Sequence, residues 1–154
     1  MRLSEPDLVR WGERIGRGIE APSFLVLRGP VGAGKSVLAR AIAAGAGVHG
    51  AVPSPTFNLL FRYPAERGLE IVHMDLYRIS HTDELFELGW EELGTMNEVV
   101  LVEWPERAEG HLPNHRWEIE LEPAEDDRTL RQVAVQKVGH PPFLPGFPIT
   151  FLKS

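Results

Sequence analysis

Three features of the sequence predict an α/β domain with a mixed sheet and antiparallel additions. First, Phe24-Leu25-Val26-Leu27 is a continuous apolar run of the kind a strand buried on both faces shows, and a glycine-rich turn follows it directly. Second, Val99–Val102 is another such run. Third, Trp117, Ile119 and Leu121 alternate with Glu118, Glu120 and Glu122, and Val133 and Val135 alternate in the same way. The alternation marks half-exposed strands, and the acidic turn Glu125-Asp126-Asp127 joins them as a hairpin.

The remaining elements follow in order. Ser4 is a good N-cap with Pro6 in the turn after it, and Leu8, Trp11, Ile15 and Ile19 recur at helical spacing, so residues 5–19 read as an amphipathic helix. Ala21-Pro22-Ser23 ends it. Lys35–Ala46 is rich in alanine and leucine and reads as a second helix, closed by the glycines between Gly45 and Gly50. Val52-Pro53-Ser54-Pro55 is irregular, because each proline removes a donor and constrains its predecessor. Phe57–Tyr63 and Leu69–Met74 are β-rich, with Pro64–Gly68 as the turn between them. Ser80–Leu88 is a short helix, with Ser80 and Asp83 spaced as a capping box and Gly89 as its stop, and Trp90–Leu93 adds a further turn. The domain is expected to span 1–138. Residues 139–154 carry four of the thirteen prolines and read as a tail, extended or disordered until something binds it.

Bulk composition narrows the function. The chain has 154 residues, 43% of them hydrophobic, which fits one domain with a core. A net charge of −6 argues against a protein whose affinity comes from a basic face on nucleic acid. There are no cysteines, which removes disulfides, thiolate metal sites and cysteine nucleophiles. The first ten residues carry Glu5 and Asp7 and do not read as a signal peptide, and no apolar run is long enough to span a bilayer. The expectation is a soluble cytoplasmic protein.

Gly29-Pro30-Val31-Gly32-Ala33-Gly34-Lys35-Ser36 matches the Walker A pattern in full. Glycines let the loop curl so that successive backbone N–H groups point at phosphate oxygens, and the helix starting near Gly34 adds its positive end. Lys35 reaches the β- and γ-phosphates, and the Ser36 hydroxyl is placed to ligate magnesium. A chance match in a chain of this length has odds on the order of one in a hundred, and the preceding strand and following helix lower them further. The expected architecture is therefore a P-loop NTPase-like three-layer sandwich that binds ATP and Mg2+.

Such a site needs a carboxylate at the tip of a neighbouring buried strand to hold the metal or its water. Asp75, after Ile71–Met74, and Glu103, after Val99–Val102, both qualify, and spacing does not divide the roles between them. His73 lies two residues before Asp75; a strand histidine with a satisfied partner is the commoner outcome. His111 and His115 have zinc-pair spacing, but Pro113 prevents a helix between them, so they read as surface histidines. Arg128 either reaches a nucleotide or pairs with its acidic neighbours.

Gly32–Ser36, Ser54-Pro55-Thr56-Phe57, His73-Met74-Asp75-Leu76-Tyr77-Arg78 and Leu101-Val102-Glu103-Trp104-Pro105 occur in the order and spacing of the TsaE (YjeE) family, which this chain resembles from about residue 4 to residue 138. That family comprises bacterial ATPases of the pathway that forms threonylcarbamoyladenosine in tRNAs reading codons that start with adenine. The resemblance implies Glu103 as the magnesium-associated acid beside Ser36, and Asp75, with Lys35, as the group needed for hydrolysis. It implies Thr56 in a mobile, switch-like loop and Trp104 at a position tied to nucleotide or partner engagement. It also places Glu5, Glu106 and Arg128 in the nucleotide pocket with Val31, Gly32, Ala33, Gly34, Lys35 and Ser36. The implied partner is the TsaB–TsaD heterodimer, with tRNA met only through that complex and no membrane. Pro30 stands where many relatives carry an acid, and Ser36-Val37 where many carry two threonines.

Two other functions fit a P-loop. A small-molecule or nucleoside kinase would need an acceptor pocket and a lid arginine such as Arg62, Arg78 or Arg107. A GTPase switch would need an Asn-Lys-x-Asp motif to read guanine, which this sequence lacks.

Overall fold

The computed structural model describes residues 1–49 and 59–148. In chain order the elements begin with β1 (Arg2–Ser4), α1 (Glu5–Gly18), β2 (Ser23–Arg28), α2 (Lys35–Gly45) and β3 (Leu60–Pro64). They continue with β4 (Glu70–Asp75), α3 (Asp83–Glu87), β5 (Glu98–Glu103), β6 (Arg116–Pro123) and β7 (Leu130–Val138). The strands form one sheet in the order β1-β7-β6-β2-β5-β4-β3. Its centre is parallel, β4, β5, β2 and β6 running together, while β3, β7 and β1 pair antiparallel at the flanks.

The apolar runs are continuous because both faces of the sheet are covered. Leu25 and Leu27 of β2 and Val99 and Leu101 of β5 pack under α1 and α2. Phe24, Val26, Val100 and Val102 face the opposite cluster, which contains Leu85 of α3, Trp90 and Ala108. Successive strand residues point to opposite faces, so each run feeds two cores at once. The result is helices, sheet and a thinner layer of short helical turns, as the sequence predicts.

Helix α1 starts where Ser4 Oγ accepts the Asp7 N–H at 3.2 Å and buries Leu8, Trp11 and Ile15 completely. Each such side chain stabilises by about 1.5–3 kcal/mol. Its crossing with α2 is close: a Cβ at Gly16 would stand 2.0 Å from the Ile42 carbonyl oxygen. Only glycine permits that approach.

Several expectations need correcting. Strand β1 is not foreseen, because three residues show no alternation; it is held by pairing with β7 and by Leu3, which is fully buried. The short helix runs only from Asp83 to Glu87, and no side chain caps it. Ser80 instead donates its backbone N–H to Glu84 at 3.3 Å, so the expected capping box does not form. Residues 139–148 pack on the domain rather than standing free. Trp11 Nε1 donates to the Gly146 carbonyl at 3.0 Å, Trp117 Nε1 donates to that of Pro142 at 2.8 Å, and Leu144 enters the main core. Residues 149–154 lie outside the described region, as does the expected irregular stretch 52–55. Among the described residues no helix is long and apolar enough to cross a membrane.

Candidate functional site

The parallel pairing sets the site. Leu27 of β2 and Asp75 of β4 both lie in register with Glu103 of β5, so the P-loop and the two candidate acids emerge at the carboxyl end of adjacent strands. That edge is where open α/β sheets bind ligands. Strand alternation also fixes the face. Ile71, Val99 and Leu101 pack under the helices, so His73, Asp75 and Glu103, each an even step along its strand, point to the side that α2 covers.

The loop itself is built for close backbone approach. Gly29 has φ 144°, and a Cβ there would stand 2.1 Å from the Leu121 carbonyl oxygen of the neighbouring strand. At the N-terminus of α2, Gly34 provides no side-chain cap. The first-turn amides of a helix have no intrahelical partner, and here they open onto a cleft of about 490 Å³. By contrast, the Ser4 hydroxyl occupies this position in α1.

Lys35 brings a positive charge to the cleft and is 5% exposed. Its ammonium donates to the Gly29 carbonyl and lies 3.5 Å from the centroid of the Trp104 ring, a cation–π contact. Burial pushes its pKa below the ordinary lysine value, against the opposing pull of Glu103, Glu106 and Asp75. Trp104 turns the chain after β5 with φ 59° and ψ 54°. This left-handed conformation is disfavoured for a bulky residue, and it aims the indole at both Lys35 and Tyr77, whose ring centroid is 4.9 Å away.

Glu103 is 2% exposed and engaged through both oxygens. Oε1 accepts the Ser36 hydroxyl at 2.9 Å, and Oε2 lies 2.6 Å from His73 Nε2. Asp75 is more open. Its Oδ1 accepts the Tyr77 N–H at 3.1 Å. Burial raises its pKa above the usual carboxylate value, the Tyr77 hydrogen bond opposing and the Glu103 charge adding to the effect.

Of the residues singled out from sequence, Glu5, Val31, Gly32, Gly34, Lys35, Ser36, Asp75, Glu103 and Trp104 line this one cleft. Ala33 is buried behind it, and its carbonyl accepts from Arg131 Nε at 3.1 Å. Glu106 is exposed and turned towards Arg28, 3.6 Å away. Arg128 is exposed at the β6–β7 turn and does not line the cleft. Thr56 lies outside the described residues. Val37, Tyr77 and Arg131 also line the cleft, though sequence reasoning did not place them there. Tyr77 sits in the same short block as Asp75, a signal that was available, whereas nothing local marks Arg131.

The candidates for other chemistry are placed elsewhere. Arg62 bonds Glu70 at 2.6 Å and Glu98 at 2.7 Å, at the start of β4 and β5, the end of the sheet away from the P-loop. His115 Nδ1 accepts the His140 N–H at 2.8 Å, and the His111 ring lies edge-on to Phe86.

The donor set fits a magnesium–nucleotide pair. A bare triphosphate on the loop would face two carboxylates, Asp75 and Glu103, and a divalent cation between them reconciles the charges. Ser36 Oγ and a carboxylate already meet at that point.

Residues 3–133 match the family model described as threonylcarbamoyl adenosine biosynthesis protein TsaE. The chain is 36% identical over 118 residues to the tRNA threonylcarbamoyladenosine biosynthesis protein TsaE of Treponema pallidum, covering 77% of this chain and 86% of that one. It is 30% identical over 140 residues to the Haemophilus influenzae protein of the same name, covering 88% of each. Among solved structures it is similar to YdiB of Bacillus subtilis, with a TM-score of 0.66 and 28% identity, covering 90% of this chain and 84% of that one.

Proposed function

The chain belongs to the TsaE family, and on that premise we propose that it is a magnesium-dependent ATPase serving threonylcarbamoyladenosine formation in tRNA together with the TsaB–TsaD pair. The observation that carries this reading is the convergence of an uncapped α2 N-terminus, Lys35 and the Ser36–Glu103 pair at the carboxyl edge of the parallel strands.

In the proposed reaction water attacks the γ-phosphate in line, the bond to the β–γ bridging oxygen breaks, and ADP and inorganic phosphate leave. The first-turn amides of α2 and the Lys35 ammonium hold the phosphates, turning the lysine from the Gly29 carbonyl to the phosphate oxygens. Ser36 Oγ and Glu103 would hold the magnesium, which would supply the charge that offsets the phosphates beside the carboxylates. Asp75 orients the attacking water: its Oδ1 is pinned by Tyr77, so the carboxyl group has a fixed direction. Trp104 covers the Lys35 side of the cleft and Glu5 borders it.

A kinase on the same fold finds no lid residue in Arg62, which is committed to Glu70 and Glu98 at the far end of the sheet. The net charge of −6 favours tRNA contact through the complex rather than alone.

Calorimetric titration of the full chain with Mg·ATP tests the binding half. Wild type is expected to bind ATP more tightly than GTP, and Lys35→Ala to lose most of that affinity. Tighter GTP binding, or an unaffected Lys35→Ala variant, would sink the reading.

A further inference from the structure

His73 sits in a slot that stability alone does not explain. It is 1% exposed, and its in-register neighbours on the flanking strands are Phe61 and Leu101. A leucine would suit those surroundings. The histidine instead makes one polar contact, Nε2 to Glu103 Oε2 at 2.6 Å, while Nδ1 is buried with no hydrogen-bond partner among the described residues. Buried polar atoms are nearly always satisfied, and an orphaned one costs stability. A structural histidine would have both nitrogens partnered.

Glu103 shows what the contact accomplishes. Its carboxylate has Ser36 on one oxygen and His73 on the other, and two donors on opposite oxygens fix the plane of the group. An ionised carboxylate only accepts, so in this contact the ring is the donor and presents an N–H at Nε2. The geometry points to His73 as a positioning residue that holds Glu103 oriented for the divalent cation accompanying a nucleoside triphosphate. This role rests on the Mg·ATP reading above. Groups that hold a metal-associated ligand from behind are worth about 10–100-fold in metal affinity, although they touch neither metal nor substrate.

The test separates metal from nucleotide. Mn2+ binding to the full chain in the presence of ATP is followed by electron paramagnetic resonance, and ATP binding in chelator by equilibrium dialysis, for wild type, His73→Leu and His73→Gln. His73→Leu is expected to weaken Mn2+ by at least about tenfold. His73→Gln, which keeps an N–H near the Nε2 position, is expected to restore most of the loss, and ATP binding in chelator to stay the same in all three. An unchanged Mn2+ affinity in His73→Leu, or an equal loss in both variants, would overturn the inference. If wild type binds ATP and Mn2+ while the Leu variant is unaffected, only the role of His73 falls; if wild type binds neither, the underlying reading falls with it. Wild type alone supplies a check that needs no folded variant: nitrogen-15 NMR of the ring is expected to show a proton on Nε2, and an Nε2 without one would overturn the assignment.

Discussion

The Ser36 hydroxyl donates to Glu103 Oε1 across 2.9 Å, tying the first turn of α2 to the last residue of β5. Neither residue is near the other in sequence, and the bond exists because the β2–β5 pairing brings Leu27 level with Glu103. The hydroxyl and the buried carboxylate proposed to hold the metal are thus brought together by the sheet rather than by the loop. Removing the hydroxyl separates the metal's contribution from the nucleotide's. Ser36→Ala is expected to keep ATP affinity in chelator while losing the gain that Mg2+ gives, at a stability cost of about 1 kcal/mol for the missing hydrogen bond. Paired titrations with and without Mg2+ read this out, and an undiminished Mg2+ effect would count against the assignment.

Lys35 is held where burial works against its charge. With the folded pKa depressed below the ordinary 10.5, the unfolded chain binds more protons between the two values, so the penalty is present at neutral pH and lifts as pH rises through that window. Lys35→Met is therefore expected to melt at or above the wild-type temperature at pH 7, although it loses hydrolysis by at least about a hundredfold. A large drop in melting temperature would show that the lysine is there for stability.

Asp75 carries the opposite sign in pKa and the same consequence. Its folded pKa is raised above 3.8, so ionising it costs stability at pH 7, and the cost vanishes as pH falls through the raised value towards 3.8. In metal-free protein Asp75→Asn is expected to be more stable than wild type at pH 7, with the gap closing in acid. Thermal melts across pH check both the sign and the closure.

These side chains show where the sequence was informative. The apolar runs of β2 and β5, the glycines between Gly29 and Gly34 and the acids after β4 and β5 are local signals, and period-two alternation puts Asp75 and Glu103 on one face. What stayed hidden depends on contacts distant in the chain. Arg131 braces Ala33 from β7, β1 exists only because β7 offers it an edge, and the Ser80–Asp83 spacing suggests a capping box that does not form. The expectation of a satisfied partner for His73 holds at one nitrogen and fails at the other, which no sequence pattern reveals.

The segment 139–148 shows how composition misleads. Its prolines suggest a free tail, yet Leu144 is 1% exposed and two tryptophan N–H groups are satisfied by its carbonyls. Ending the chain after Val138 is expected to cost about 3 kcal/mol or more, from one buried leucine and two lost hydrogen bonds. Urea denaturation of the truncated chain measures it; unchanged stability would return the segment to the status of a tail.

The most direct test is steady-state ATP hydrolysis by wild type and Asp75→Asn, each with and without purified TsaB–TsaD. Wild type is expected to turn over slowly alone and at least about tenfold faster with the pair. Asp75→Asn should still bind ATP but lose about a hundredfold in rate under both conditions. Equal wild-type rates with and without the partners, or undiminished turnover by the variant, would contradict the account.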